Sequence, residues 1–207
     1  MLVLRGSPAL SPFRLDKLMT RAAEGAPEVR HIYAEYLHFA QSERELSGDE
    51  QVVLAQILTY GPAAQAEEPA GTLLLVIPRI GTISPWASKA TDIAHNCGLA
   101  AIKRLERGVA YYATGENGAP LSDHGRVQFA ALVHDRMIEQ VLDSIDDAAG
   151  LFASHEPAPL RTVDVLGGGK GQLELANREW GPPSPPTRST TWWRTSPPWD
   201  ATPQIPN

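Results

Sequence analysis

The residue types with chemical reach crowd into one short run, Gly81–Gly108, which reads GTISPWASKATDIAHNCGLAAIKRLERG. It holds Ser84, Trp86, Lys89, Asp92, His95, Asn96 and the chain's only cysteine, Cys97, with Arg79 just ahead of it. On a helix Lys89 and Asp92 stand three apart, as do Asp92 and His95, a spacing at which neighbouring side chains can pair. Three uses of such a set compete: an internal polar network, a surface that meets other protein domains, or contacts beside a bound substrate. Pairing within one protein is the common case, and on an exposed helix face each pair contributes less than about 1 kcal/mol. Metal binding is not indicated, because His95, His124 and His134 lack tight ligand spacing with carboxylates or thiols. Cys97, beside a helix end, could be a reactive thiol; a small buried filler is the commoner role and is expected here. Gly167-Gly168-Gly169-Lys170-Gly171 imitates a phosphate loop. The G-x-x-x-x-G-K-[ST] spacing is absent and Gln172 stands where a hydroxyl residue would go, so a flexible turn before a helix over Gln172–Glu179 is expected instead.

The elements that must hold these residues are legible from caps and periodicity. Leu73–Ile77 is a strand-like apolar run that leads into the set. Ser84 can accept a first-turn amide hydrogen, Pro85 suits the first helical position, and Gly98 suits the left-handed residue that ends helices. A helix from Ser84 to about Asn96 follows. Upstream, Met1–Arg5 reads as a strand, Ser11 and Pro12 open a helix with Phe13, Leu15, Leu18 and Met19 as its apolar set, and Val29–Phe39 reads as a strand. Ser47 and Glu50 form a capping box ahead of a helix carrying Val53, Leu54, Ile57 and Leu58. Arg107–Ala113 is expected as a strand, and Ser122 as the cap of a long helix bearing Val127, Ala131, His134, Ile138, Val141 and Ile145. Leu10-Ser11-Pro12-Phe13 matches Ile83-Ser84-Pro85-Trp86, and Leu46-Ser47 matches Leu121-Ser122, at offsets of 73 and 75 residues. The order βαβα therefore occurs twice. Each half has too few strands to be stable alone. The fold class is α+β: two tandem βαβα-like repeats over residues 1–150, forming one antiparallel sheet covered by helices.

Composition narrows the setting. With 207 residues, 43% hydrophobic and 20% charged, the chain suits a soluble globular protein. A net charge of -6 with no basic run argues against nucleic acid as a partner. No apolar run reaches membrane-spanning length, and the start lacks a basic region followed by a long apolar core. A single cysteine excludes an internal disulfide and fits a reducing, cytoplasmic setting. Past Gly150 the character shifts: Leu151–Leu160 reads as a linker and Val163–Leu166 as a short strand, within a distinct segment over 151–180. Residues 181–207 hold eight of the 18 prolines and three of the five tryptophans. Disordered segments tend to be poor in aromatics, so simple disorder leaves the tryptophans unexplained. Read one frame over, the codons at Trp192–Trp193 force Val and those at Trp199–Asp200 force Gly. Codon choices are permitted elsewhere that turn 182–204 into an acid-capped amphipathic helix, so the tail is expected to be either a frameshift product of a protein that continues past it or a disordered segment.

Longer stretches resemble a known family. LRGSPALSPFR, IYAEYLHFA, YGPA and above all GTISPWASKATDIAHNCGL followed by RLERGVAYY look like the N-terminus of phosphoribosylformylglycinamidine synthase in its large single-chain form. HDRMIEQVLDSIDDAAGLF and VDVLGGGKGQLELAN look like its continuation into a helical linker domain, so the likeness covers Leu2–Asn177. The resemblance implies an ATP-dependent, glutamine-hydrolysing carbon–nitrogen ligase of de novo purine biosynthesis. That enzyme converts formylglycinamide ribonucleotide, glutamine and ATP to formylglycinamidine ribonucleotide. It implies a synthetase domain that binds ATP and Mg²⁺, and a C-terminal glutaminase domain with a Cys-His-Glu triad. The N-terminal domain then resembles a dimer of the small subunit of split enzymes, and helps assemble the other parts near the ammonia route. The sequence stops before those domains, so no catalytic, cofactor-binding or metal-binding residue is carried onto it, and Cys97 does not match the glutaminase nucleophile. Ala87 stands where the family commonly has Ser. The resemblance turns Arg79, Ser84, Trp86, Lys89, Asp92, His95 and Asn96 into an expected interface with the synthetase and glutaminase domains, and Trp and Arg suit such a surface. The expectation is a cytoplasmic assembly part, inactive alone and without a cofactor of its own. The alternatives are a free-standing module that binds a separate synthetase subunit, or a nonfunctional truncated product.

Overall fold

Five strands alternate with four helices along residues 2–142 of the computed structural model, which describes residues 1–61, 68–153 and 159–180. In chain order they are β1 (Leu2–Pro8), α1 (Pro12–Gly25), β2 (His31–Ser42), α2 (Gly48–Ile57), β3 (Thr72–Pro78), α3 (Pro85–Asn96), β4 (Ile102–Thr114), α4 (Asp123–Val133) and β5 (Glu139–Leu142). A 3₁₀ turn, Asp146–Phe152, follows. A serine opens each of these helices. Ser11, Ser47, Ser84 and Ser122 each accept a backbone N–H three residues on, at 3.4, 3.3, 3.0 and 3.1 Å. Ser47 completes the capping box, since Glu50 accepts its backbone N–H at 2.8 Å. Gly98, at φ 86°, ends α3 in the left-handed region.

The strands form one antiparallel sheet in the order β1-β2-β4-β3-β5. The two repeats meet at its centre, where Tyr36 of β2 lies opposite Val109 of β4. These residues are 73 apart, the offset that relates Ser11 to Ser84, so a local two-fold at this pair exchanges the repeats. β5 adds to the edge of β3 and, among the described residues, has no counterpart beside β1.

Alternation along the strands assigns the two faces. On one, Ile32, Ala34, Leu74, Val76, Tyr111 and Ala113 meet α1 and α4 through Leu18, Ala22 and Phe129. Further along the same face Ala40, Ile102 and Leu105 meet α2 and α3 through Leu54, Leu58 and Ala94. On the other, Leu37, Phe39, Leu75, Ile77 and Ala110 are covered by Ala148 and Leu151 of the 3₁₀ turn. Cover on both sides explains why β3 is a continuous apolar run, with Leu74 to Ile77 all buried. Each fully buried Leu or Phe contributes about 1.5–3 kcal/mol.

Several local expectations change. The long helix after Ser122 stops at Val133; Asp135 accepts the N–H groups of Ile138 and Glu139, and Val141 joins β5. Val127 and Ile138, expected in the apolar set of that helix, are exposed: Gly125 and Phe129 mark the buried face of α4 and leave Val127 outside it, and Ile138 lies in the turn before β5. Phe13 is also exposed, while Leu18 and Ala22 carry the packing of α1. Residues 159–180 belong to a second unit, in which α5 (Val165–Trp180) takes over the latter half of the strand or extended segment expected at 163–166. The glycine run lies inside α5 and breaks it at Gly169, φ 59°. The Pro/Trp-rich tail and its frameshift reading lie outside the described residues.

Candidate functional site

α3 shows two different faces. Trp86, Lys89, Ala90 and Ile93, at helical spacing, form one wall of an open cleft of about 360 Å³. Ile57, Leu58 and Tyr60, at and just past the end of α2, form the other wall, and Leu105 and Arg107 of β4 form the floor.

Arg107 is half-buried there among aromatic rings. Its guanidinium carbon lies 4.5 Å from the ring centre of Tyr36, 4.9 Å from that of Trp86 and 5.9 Å from that of Tyr60. Its Nη1 donates to the Tyr60 hydroxyl at 3.2 Å, and that hydroxyl is 2.6 Å from His38 Nε2. Burial, and then the Arg107 charge, lower the His38 pKa to about 4. Nδ1 faces the Leu4 backbone without a hydrogen bond of good geometry. Gly6 makes room for this ring: a Cβ there would stand 2.6 Å from His38 Cε1. Burial also raises the Tyr60 pKa, against the hydrogen bond and charge of Arg107.

Beneath the start of α3 lies a second network. Ser84 accepts the Ala87 N–H and donates to Glu106 Oε2 at 3.0 Å. Glu106 is fully buried and is paired with Arg104, which also donates to the Thr82 carbonyl at 2.7 Å and the Leu151 carbonyl at 3.0 Å. One serine thus caps α3 and ties it to a buried ion pair on the far side of the sheet.

The seven residues singled out by type divide accordingly. Trp86 and Lys89 line the cleft, and Ser84 belongs to the buried network. His95 approaches the Ile102 carbonyl at 2.6 Å through Nε2, joining the end of α3 to the start of β4. Arg79 is exposed and donates its backbone N–H to Ile138 at 3.0 Å. Asp92 and Asn96 are exposed. Neither Lys89–Asp92 nor Asp92–His95 forms an ion pair among the described residues. Cys97 is exposed rather than buried, because it caps the helix on its outer side. Among the described residues no group of three His, Cys, Asp or Glu could hold a metal ion. Residue typing missed Tyr36, His38, Tyr60, Arg107 and the Arg104–Glu106 pair. Their signal was alternation: Tyr36 and His38 stand two apart in β2, as do Arg104 and Glu106 in β4, and each pair shares a sheet face.

Two βαβα units joined through β2 and β4, with a cleft and a buried ion pair around α3 of the second unit, define a duplicated α+β domain. The chain belongs to the formylglycinamide ribonucleotide amidotransferase N-terminal family, whose sequence profile matches residues 35–152. That makes it an N-terminal region of phosphoribosylformylglycinamidine synthase, a purine-pathway amidotransferase. The matched span runs from within β2 to the end of the 3₁₀ turn and includes the cleft. Among the described residues no helix is long and apolar enough to cross a membrane.

Proposed function

We propose that this domain is an assembly scaffold of phosphoribosylformylglycinamidine synthase, and that the outer face of α3 with its lead-in loop docks on the synthetase and glutaminase parts. The observation that carries this reading is a mixed apolar and polar surface spread over the lead-in loop and the outer side of α3. Ile80 and Ile83, in the lead-in loop, are 38% and 65% exposed beside the exposed Arg79, and Asp92 and Asn96 are exposed on α3 itself. Large aliphatic groups set among polar ones suit a protein interface. The Ser84–Glu106 tie supports the same use, since a docking helix held rigid loses less freedom on binding. In this reading ATP and Mg²⁺ bind in the synthetase domain, glutamine is hydrolysed in the glutaminase domain, and the whole works in the cytoplasm. Residues 1–150 are the duplicated docking domain and 151–180 begin the linker domain.

The test is assembly in trans. The 207-residue chain is mixed with a synthetase–glutaminase part made without its N-terminal region, and product formation from glutamine and ATP is followed. Neither piece should be active alone, and the mixture should be. Ile83→Asp combined with Asp92→Arg should abolish association while the chain stays folded by circular dichroism. Turnover of glutamine or ATP by the chain alone, or no association between two folded pieces, would overturn the proposal.

A further inference from the structure

We infer that the cleft between α2 and α3 binds an organic anion: a carboxylate or phosphate carried on an apolar body. This goes beyond the assembly role, which concerns the outer face of α3. The starting point is the charge of Arg107. The other arginines with side chains on this sheet are matched to carboxylates, Arg5 with Glu35 and Arg104 with Glu106. Arg107 has no carboxylate partner among the described residues; it has rings and one hydroxyl. Placing a guanidinium out of water is costly unless charge or hydrogen bonds compensate, and one bond to Tyr60 leaves most of its five N–H donors unspent. Lys89, on the wall of the same cleft, adds a second cation, and among the described residues it has no ion pair and no acidic side chain lines the space.

The fold itself does not require this charge. The local two-fold that relates Tyr36 to Val109 places Ala34 at the position equivalent to Arg107, and Ala34 is buried without any charge. The other end of the domain is therefore built with a methyl group where this end has a guanidinium. Tyr36 and Trp86 hold the Arg107 plane in place, so a bidentate contact to an anion needs little reordering. Ile57, Leu58 and Ile93 supply an apolar lining for the rest of the ligand. The volume, about 360 Å³, falls at the small end of the range for small-molecule sites.

The test titrates the full chain with phenyl phosphate and with benzoate, followed by tryptophan fluorescence. Inorganic phosphate and benzyl alcohol test the anionic and apolar halves separately. A saturable change with phenyl phosphate or benzoate is expected, lost in Trp86→Phe and weaker with either half alone; the stronger of the two names the anion. Arg107→Gln should weaken binding by roughly tenfold or more, and Arg107→Lys by less. Lys89→Ala, on the exposed rim, should weaken it severalfold and serves if Arg107→Gln does not fold. The inference is overturned if benzyl alcohol binds as well as the anions, if folded Arg107→Gln or Lys89→Ala binds like the parent, or if the folded parent gives no saturable change. Loss of anion binding with assembly in trans intact would leave the proposed scaffold role standing.

Discussion

The two ends of the helix-covered sheet face are built from equivalent positions and finished in opposite ways. At the α1–α4 end the space is closed. Phe129 is fully buried and meets Tyr111 edge-on at 6.1 Å, and Gly25 lets α1 approach Leu132 of α4 so closely that a Cβ would stand 3.2 Å from it. At the α2–α3 end the helices stay apart and a cleft remains. The local two-fold relates Tyr111 to His38 and Ala34 to Arg107, so a phenol and a methyl group correspond to an imidazole and a guanidinium. Phe13 and Trp86 occupy the same place after a Ser-Pro cap, yet Phe13 is 76% exposed while Trp86 lies 5.7 Å from His38. A duplicated backbone thus carries one end that serves stability and one that keeps its polar groups facing a space. Duplication permits this, because the closed end already supplies a well-packed core.

The largest effect is expected at the closed end. Phe129→Ala should cost about 3–5 kcal/mol in urea unfolding, since helices packed on both sides cannot collapse into the void. Trp86→Ala, half-buried at the open end, should cost less than about 2 kcal/mol. Equal costs would break the contrast.

The next test is pH. His38 has a depressed folded pKa, so its stabilisation is present above the unfolded value of 6.5 and is lost as pH falls toward about 4. The difference between the parent and His38→Gln in unfolding free energy should shrink over that window, by roughly 3 kcal/mol at most. Tyr111, at the equivalent position, is pushed the other way, up to about 12 by burial. Its contribution is complete below the ordinary value of 10 and is lost as pH rises through that window, a loss Tyr111→Phe should remove. A flat pH response at either position would show that the ends are less distinct than their side chains.

The caps give a smaller contrast. Ser11→Ala removes an ordinary N-cap and should cost about 1 kcal/mol. Ser84→Ala also deprives buried Glu106 of a hydrogen bond and should cost about 2 kcal/mol in the same denaturation. The smallest effect belongs to Asp92→Asn, which should stay within about 0.5 kcal/mol because Asp92 is exposed and unpaired among the described residues. A cost well above that would place Asp92 in a structural network rather than on a docking face.

What could be read along the chain was local. Ser11, Ser47, Ser84 and Ser122 announce four helices because capping depends on residues within one turn, and the Ser-Pro repeat announces the duplication. The helix expected past Val133 failed because Val141 suits a helix stripe and a strand equally well, and the open edge of β3 made the choice. The site was read only in part. Ser84, Trp86 and Lys89 stood out within one polar run, whereas Tyr36, His38, Tyr60 and Arg107 look like ordinary strand and loop residues. By itself the sequence determined the elements of the two repeats, their order, their caps and the two-copy plan. Only the tertiary structure decided that β2 and β4 meet at Tyr36 and Val109, which gathers residues from three distant segments around one guanidinium. The reason is physical: a cap acts within a single turn, whereas the environment of a charge depends on which strands pair and which helices fail to close over them.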